Sequence, residues 1–232
     1  QESRGLGDVY KRQTDISTLT TDRSDASGTG YFSAARDEYR PDLLGLALRG
    51  RTPLLPEVIE PSGVAARTPG GVALGAGLGD NAAAAFGLQA GPGDAIVSLG
   101  TSGVVSAVTD VAPCDPSGIV AGFADATGRQ LPLVCTLNGA PVLSATATML
   151  DVDLDEFARL AMSTPAGSNG LTLIPYLAGE RSPNLPDATG TLCGITTANF
   201  TPSSVARAAV EGLLCSLVWC LSLIHISEPT RL

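Results

Sequence analysis

Lysine and histidine are almost absent from this sequence. Its 232 residues contain a single lysine, Lys11, and a single histidine, His225, and Asp and Glu number 23 against 14 for Lys and Arg. The net charge of −9 offers no basic surface for a nucleic-acid backbone or an anionic membrane, because both are bound through clustered positive charge. We therefore expect no nucleic-acid partner and no membrane partner, and a small neutral substrate instead.

Metal-binding and disulfide patterns are also missing. Five cysteines stand at scattered spacings without a C-x-x-C pair, and one histidine does not complete a zinc site. We expect the cysteines to be small apolar core residues in a reducing compartment, and we predict no metal site. No apolar run approaches the ~18 residues that span a bilayer. With no signal-peptide pattern at the start, the sequence is interpreted as cytoplasmic.

The two ends differ from the interior in residue usage. The interior is rich in Ala, Gly, Val, Leu, Asp and Arg, whereas the lone lysine and the lone histidine lie near the termini. These ends resemble translated sequencing-adapter segments, which do not enter fold reasoning. We predict non-native segments at 1–13 and 222–232, with genuine short tails as the alternative.

Proline and glycine suggest a division within the remaining chain. Pro56, Pro61 and Pro69 stand with several glycines between residues 55 and 71, a composition typical of a hinge. We place a hinge or domain boundary near residues 61–71, between a first part at 14–70 that ends the first lobe and a second part at 71–221. The 44% hydrophobic content is sufficient for a sizeable core.

Hydrophobic patterning predicts strands mixed with helices, which indicates an α/β fold. The polar stretch 22–29 is predicted as a loop and residues 72–74 as a buried strand. Further strands are predicted at 95–99, 104–108, 118–123, 131–137 and 171–174, and helices at 41–48, 81–89, 141–150 and 154–162. A last helix begins after Thr201 as N-cap, with an apolar face formed by Val205, Ala209, Val210, Leu213, Leu214 and Leu217.

Asp80 is the first candidate for chemistry. It follows Gly77-Leu78-Gly79, where glycines allow a tight turn and the close approach of a ligand. A carboxylate in this place can accept the proton of an attacking sugar hydroxyl, and Asn81 can hydrogen-bond a neighbouring hydroxyl. The alternative interpretation is structural, because an aspartate before an alanine-rich helix is a common N-cap.

The second candidate is a glycine-bounded turn between two predicted strands. Backbone N–H groups of Gly100, Thr101, Ser102 and Gly103, with the Thr101 hydroxyl, are suited to holding the β- and γ-phosphates of a nucleotide. The turn lacks the Gly-Lys-Ser/Thr of a Walker loop, and no Rossmann glycine pattern is present. The same residues also occur in ordinary hairpin turns, so the alternative is a turn without a ligand.

Three motifs in order support the functional interpretation. GDNAA at 79–83, LGTSGV at 99–104 and PYLAGERSP at 175–183 resemble consecutive motifs of the FGGY carbohydrate kinases, closest to the bacterial xylulokinases. The segment GTLCGI at 190–195, with the helix that follows, is similar to the C-terminal signature of that family. Ser204 departs from the signature, and we expect it to be exposed. Glu180 and Arg181 are interpreted as an ion pair that organises a loop.

The resemblance covers about residues 20–221 and implies an actin-like, hexokinase-like ATPase fold. The chain would hold the end of the first, sugar-binding lobe and most of the second, nucleotide-binding lobe. By matching positions, Asp80 would be the catalytic base, Asn81 a sugar contact, and residues 100–103 the second phosphate loop. ATP would be the phosphate donor with Mg²⁺, and the γ-phosphate would pass to a hydroxyl of D-xylulose.

Two family motifs are not found in the sequence. They are the first phosphate loop, which also helps to place magnesium, and the glycine motif on the adenosine side. We therefore expect a fragment with little or no turnover by itself. The alternatives are a kinase of the same family for glycerol, gluconate or ribulose, and a non-catalytic binding module of the ATPase fold.

Overall fold

A computed structural model of the chain describes residues 18–227, and side-chain surroundings as far as Ile224. The predicted non-native segment 1–13 lies outside the described residues, as do residues 228–232 of the predicted tail. The described chain forms two compact units. Unit 1 contains the chain up to Asp94 with Val108–Pro113 and Gly122–Pro132, and unit 2 contains Ala95–Ala107, Cys114–Ala121 and the chain from Leu133 onward.

Unit 1 is built from short elements. Its helices are α1 (Arg23–Ser27), α2 (Pro41–Ala47) and α3 (Asp80–Gly87). Its paired strands are β1 (Thr20–Asp22), β2 (Phe32–Ser33), β3 (Glu38–Tyr39), β4 (Glu57–Ile59), β5 (Val64–Arg67) and β6 (Ala73–Gly75). β1 pairs with β4 in parallel, whereas β2 with β3 and β5 with β6 form antiparallel ribbons. The hinge predicted near residues 61–71 thus includes β5, and the domain assignment stays a prediction.

Two predictions in unit 1 are wrong. The polar stretch 22–29 contains the helix α1, because the buried Asp22 carboxylate accepts the amide hydrogens of Ser24 and Asp25 at 2.9 and 3.1 Å and so caps its first turn. Polarity here marks a helix cap and not a loop. The strand predicted as buried at 72–74 is β6, whose three residues are all exposed.

Unit 2 begins with an antiparallel hairpin. β7 (Ala95–Leu99) pairs with β8 (Gly103–Ala107) in a register that joins Leu99 to Gly103. The second half of β10 (Gln130–Cys135) pairs with β8 on its other side. The short strand β9 (Ala121–Ala124) follows β10 in the sheet order, and all of β9 except Ala121 belongs to unit 1, as does the first half of β10. These strands confirm the hairpins expected from alternating apolar residues bounded by glycine.

Three helices and a two-stranded ribbon follow in unit 2. They are α4 (Ala140–Met149), α5 (Leu154–Ser163), the ribbon of β11 (Thr172–Ile174) with β12 (Thr191–Cys193), and α6 (Pro202–Ser227). All of them except β12 confirm elements that the sequence predicts. Asp153 caps α5 by accepting the Glu156 amide hydrogen at 2.8 Å.

The long helix α6 organises the core of unit 2. Its first half packs Ala206 and Ala209 against α4 and α5, and its second half packs Leu217, Cys220 and Ile224 against the sheet. This confirms the predicted apolar face except at Leu214, which is 50% exposed. Because α6 packs on helices in its first half and on the sheet in its second half, its buried residues do not form a single apolar stripe of constant width along the helix.

The length and mean hydropathy of α6 also suffice for a membrane span, contrary to the expectation that no segment approaches that length. The helix is apolar because it packs on both the helices and the sheet of unit 2. It also carries an ion pair between Arg207 and Glu211 at 2.6 Å. We interpret α6 as a core helix.

A glycine permits a close approach between α6 and β11. A β-carbon at Gly212 would overlap the carbonyl oxygen of Leu173, so no side chain fits at this helix position without a backbone shift.

We predict that Gly212→Ala lowers the free energy of unfolding by about 1–3 kcal/mol, because the added methyl group overpacks the contact with β11. At an unconstrained helix position, replacing glycine by alanine raises the free energy of unfolding. A decrease in Gly212→Ala would therefore indicate the close contact with β11. Denaturation followed by the fluorescence of Trp219, the single tryptophan, measures the effect. Ser216→Ala, one turn further along α6, is the control and changes the free energy by less than ~0.5 kcal/mol. A stabilised Gly212→Ala would contradict the packing.

Candidate functional site

The Asp80 carboxylate lies at the start of α3 and is exposed. The N-cap of this helix is Gly79, and Asp80 is its first residue. One carboxylate oxygen accepts the amide hydrogen of Asn81 at 2.7 Å. The interpretation of Asp80 as the N-cap is therefore wrong, and its side chain remains accessible to solvent. Asn81 follows in the first turn and is half-buried.

A buried serine fixes the turn that precedes Asp80. The Ser24 hydroxyl oxygen accepts the Gly79 amide hydrogen at 2.9 Å, across 55 residues of sequence. The same hydroxyl donates to the carboxylate of Asp22, and both side chains are buried. Sequence reasoning missed this contact, because nothing in the residues 22–29 specifies a partner so far along the chain.

The turn between β7 and β8 presents free hydrogen-bond donors. Within the turn, the Gly100 amide donates to the carbonyl of Ser102 at 3.0 Å, and the Gly103 amide donates to Thr136 Oγ1 at 3.0 Å. Among the described residues, the amides and hydroxyls of Thr101 and Ser102 have no hydrogen-bond partner. Of the four residues that the sequence predicts, these two therefore supply the donors that a bound anion could use.

The segment 136–140, which joins β10 to α4, holds both ends of this turn. At one end the Thr136 amide donates to the Gly103 carbonyl, and at the other the Ala140 amide donates to the Gly100 carbonyl, each at 2.8 Å. A β-carbon at Gly139 would lie 2.5 Å from the Gly100 carbonyl oxygen. Sequence reasoning missed these residues, although a glycine just before a predicted helix was an available signal.

Glu180 is buried and does not form the predicted ion pair with Arg181. Its carboxylate accepts the amide hydrogens of Leu137 at 2.6 Å and Arg181 at 2.7 Å, and the Asn138 side-chain amide at 2.9 Å. Among the described residues, no arginine side chain forms an ion pair with it, and the Arg181 side chain is exposed. Glu180 does organise a loop, but through backbone amides and the Asn138 side chain.

The cysteines are mostly outside the predicted core. Cys114, Cys193 and Cys215 are exposed, Cys135 is half-buried and Cys220 is buried. Burial, and then the nearby negative charge of Glu180, raises the pKa of the Cys220 thiol to about 11. The core interpretation thus holds for Cys220 and is wrong for the three exposed residues.

Ser204, expected to be exposed, is 1% accessible. It lies in the first turn of α6, where its hydroxyl oxygen accepts from the Asn169 side chain at 3.3 Å and from the Thr201 hydroxyl at 3.1 Å. The residue is buried because the loop that contains Asn169 covers the start of the helix.

A cavity of about 380 Å³ lies in unit 2 beside β11 and α6, with Tyr176, Glu211 and Trp219 in its lining. None of the predicted site residues lines it.

Comparison with known proteins assigns the chain to a family. Residues 95–228 match the C-terminal domain of the FGGY family of carbohydrate kinases. The chain belongs to this family.

Individual relatives are sugar kinases. The xylulose kinase of Streptomyces rubiginosus is 43% identical over 214 residues, which cover 88% of this chain and 42% of that protein. The solved xylulose kinase from Bifidobacterium adolescentis superposes with a TM-score of 0.82 at 45% identity, covering 91% of this chain and 46% of its own. For gluconate kinase from Lactobacillus acidophilus the TM-score is 0.79 at 27% identity, with 90% and 46% covered.

These similarities confirm the predicted fold class, the actin-like, hexokinase-like ATPase fold of the FGGY sugar kinases. The chain spans about half the length of the relatives that it matches.

We predict that Ser24→Ala loosens the turn before Asp80. The Gly79 amide would lose its partner, and because this contact is partly buried the cost is at most about 1–3 kcal/mol, the range for a buried unsatisfied donor. Amide hydrogen exchange measures the effect directly as faster exchange at Gly79. Ser33→Ala is the control, since that hydroxyl accepts only a longer, exposed bond from Arg36. Unchanged protection of Gly79 in Ser24→Ala would contradict the contact.

Proposed function

We propose that this chain is part of an ATP-dependent sugar kinase that transfers the γ-phosphate to a hydroxyl of D-xylulose. The observation that carries the proposal is the turn at Thr101 and Ser102, whose amides and hydroxyls are free of protein partners. Family membership and the xylulose kinase relatives support the same reaction. The net charge of −9 favours small-molecule substrates over nucleic-acid or anionic membrane partners. A cytoplasmic location is part of the same proposal.

In this proposal Asp80 is the general base. Its exposed carboxylate accepts the proton of the sugar hydroxyl as that oxygen attacks phosphorus, and Asn81 donates to or accepts from a neighbouring hydroxyl. Gly79 and Ser24 keep the start of α3 in place, so the carboxylate meets the sugar in a fixed position. Positioning of this kind supplies much of the acceleration in phosphoryl transfer.

The turn at 100–103 binds the terminal phosphates of the donor. The amides and hydroxyls of Thr101 and Ser102 supply four unpaired donors for phosphate oxygens, and backbone N–H groups in a turn are a recurring phosphate site. ATP supplies the phosphoryl group. Mg²⁺ would be held largely by the phosphates of the donor and by water, as is usual at nucleotide sites.

D-xylulose is proposed as the acceptor on the strength of the relatives, and gluconate is the second candidate because a gluconate kinase is among the solved neighbours. Comparison of kcat/KM for the two sugars in the longer kinase decides between them. A preference for gluconate would change the substrate and leave the kinase assignment standing.

We predict that Asp80→Asn in the longer kinase lowers kcat for sugar phosphorylation by about 10²–10⁴-fold, the usual contribution of a general base. Asparagine cannot accept the proton, so kcat falls. It keeps the shape of the side chain, so the affinity for ATP stays near that of the wild type. A coupled assay of sugar phosphate and a separate nucleotide titration measure the two quantities.

The matched control for this substitution is Asp155→Asn, an exposed acid in the first turn of α5, which leaves kcat unchanged. Wild-type turnover in Asp80→Asn would exclude Asp80 as the base. If Asp80→Asn lost ATP binding as well as turnover, Asp80 would have a structural role.

A further inference from the structure

We propose that Glu180 is a positioning residue for phosphate binding, acting on the turn at 100–103 through the segment 136–140. The inference rests on the proposed phosphate role of that turn and adds the residue that holds it. Glu180 lies about 80 positions further along the chain, in the loop between β11 and β12.

The first step is the unusual environment of the carboxylate. Glu180 is 1% accessible, and burying a carboxylate is costly unless hydrogen bonds compensate for lost water. Here the compensation comes from four donors, the amides of Leu137, Arg181 and Ser182 and the side chain of Asn138. Two of these donors belong to its own loop, and the other two belong to the segment 136–140.

The second step is the hold on that segment. The Leu137 amide donates to Glu180 at 2.6 Å, the shortest of the four bonds. The Asn138 side chain donates both to Glu180 and to the carbonyl of Gly179 at 2.7 Å, and its oxygen accepts from the Leu177 amide at 3.0 Å. Leu137 and Asn138 are thus fixed to the loop by bonds that converge on one carboxylate and one amide.

The third step joins the segment to the turn. Thr136 and Ala140 flank the two held residues, and their amides donate to Gly103 and Gly100, the two ends of the turn. Gly139 touches the turn backbone with no room for a side chain. Displacement of residues 137–138 would therefore move the ends of the turn, and with them the free amides of Thr101 and Ser102.

The test uses the chain itself with inorganic tripolyphosphate as the probe. We expect Glu180→Gln to weaken tripolyphosphate binding by at least tenfold, corresponding to ~1.4 kcal/mol, because the glutamine NH₂ group would face donors. Amide hydrogen exchange at residues 100–103 and 137–138 becomes faster in the same variant. Isothermal titration and exchange measured by NMR give both readouts on folded protein, and CD verifies folding.

Two controls separate positioning from general stability. Arg181→Ala changes the exposed neighbour and leaves both readouts unchanged. Phe157→Leu removes packing in the α4–α5–α6 cluster, lowering the unfolding free energy without altering the turn. Folded Glu180→Gln with wild-type affinity and exchange would overturn the proposal, as would equal effects in Phe157→Leu. If Glu180→Gln does not fold, Glu180→Asp, which keeps the charge and shortens the side chain, decides by the same criteria.

Failure of the proposed function looks different from failure of this inference. A wild-type chain that does not bind tripolyphosphate contradicts the phosphate role of the turn. Faster exchange at 100–103 in Glu180→Gln would still establish the positioning. Binding in the wild type with no effect in Glu180→Gln contradicts the positioning alone.

Discussion

The contact of one backbone with another at Gly139 and Gly100 is the constraint on which the nucleotide-side site depends. A turn that offers its amides to a ligand cannot also satisfy them internally, so its shape must be held from outside. The segment 136–140 does this with amides at Thr136 and Ala140 that bind the two ends of the turn. Because the ends of the turn are held in this way, its tip at Thr101 and Ser102 keeps its shape without hydrogen bonds from its own donors.

Each unit supports its candidate residue in the same physical way. In unit 1 the buried Asp22 and Ser24 hold Gly79, which precedes Asp80. In unit 2 the buried Glu180 holds the segment that carries the turn. In both cases a buried acid supports the candidate residue through hydrogen bonds, by way of the Ser24 hydroxyl in unit 1 and of the Leu137 amide and the Asn138 side chain in unit 2. Preorganised sites require such support, because a loosely held group loses catalytic and binding efficiency.

Local patterns predicted much of this fold. The strands around residues 100–103 follow from apolar runs bounded by glycine, and the start of α6 follows from Thr201 and Pro202. What the sequence did not reveal depends on partners distant in the chain. Glu180 binds residues more than forty positions away, and Ser204 is buried by a loop centred on Asn169. The charge of Glu180 suggested an ion pair. In the structure the buried carboxylate instead accepts hydrogen bonds from backbone amides and from the Asn138 side chain.

The most direct measurement of the central claim is a crystal structure of this chain with a non-hydrolysable ATP analogue. The account predicts the terminal phosphates within hydrogen-bond distance of the Thr101 and Ser102 amides, with the segment 136–140 unmoved. Phosphates bound elsewhere on the chain, or a turn left empty at saturating analogue, would contradict it.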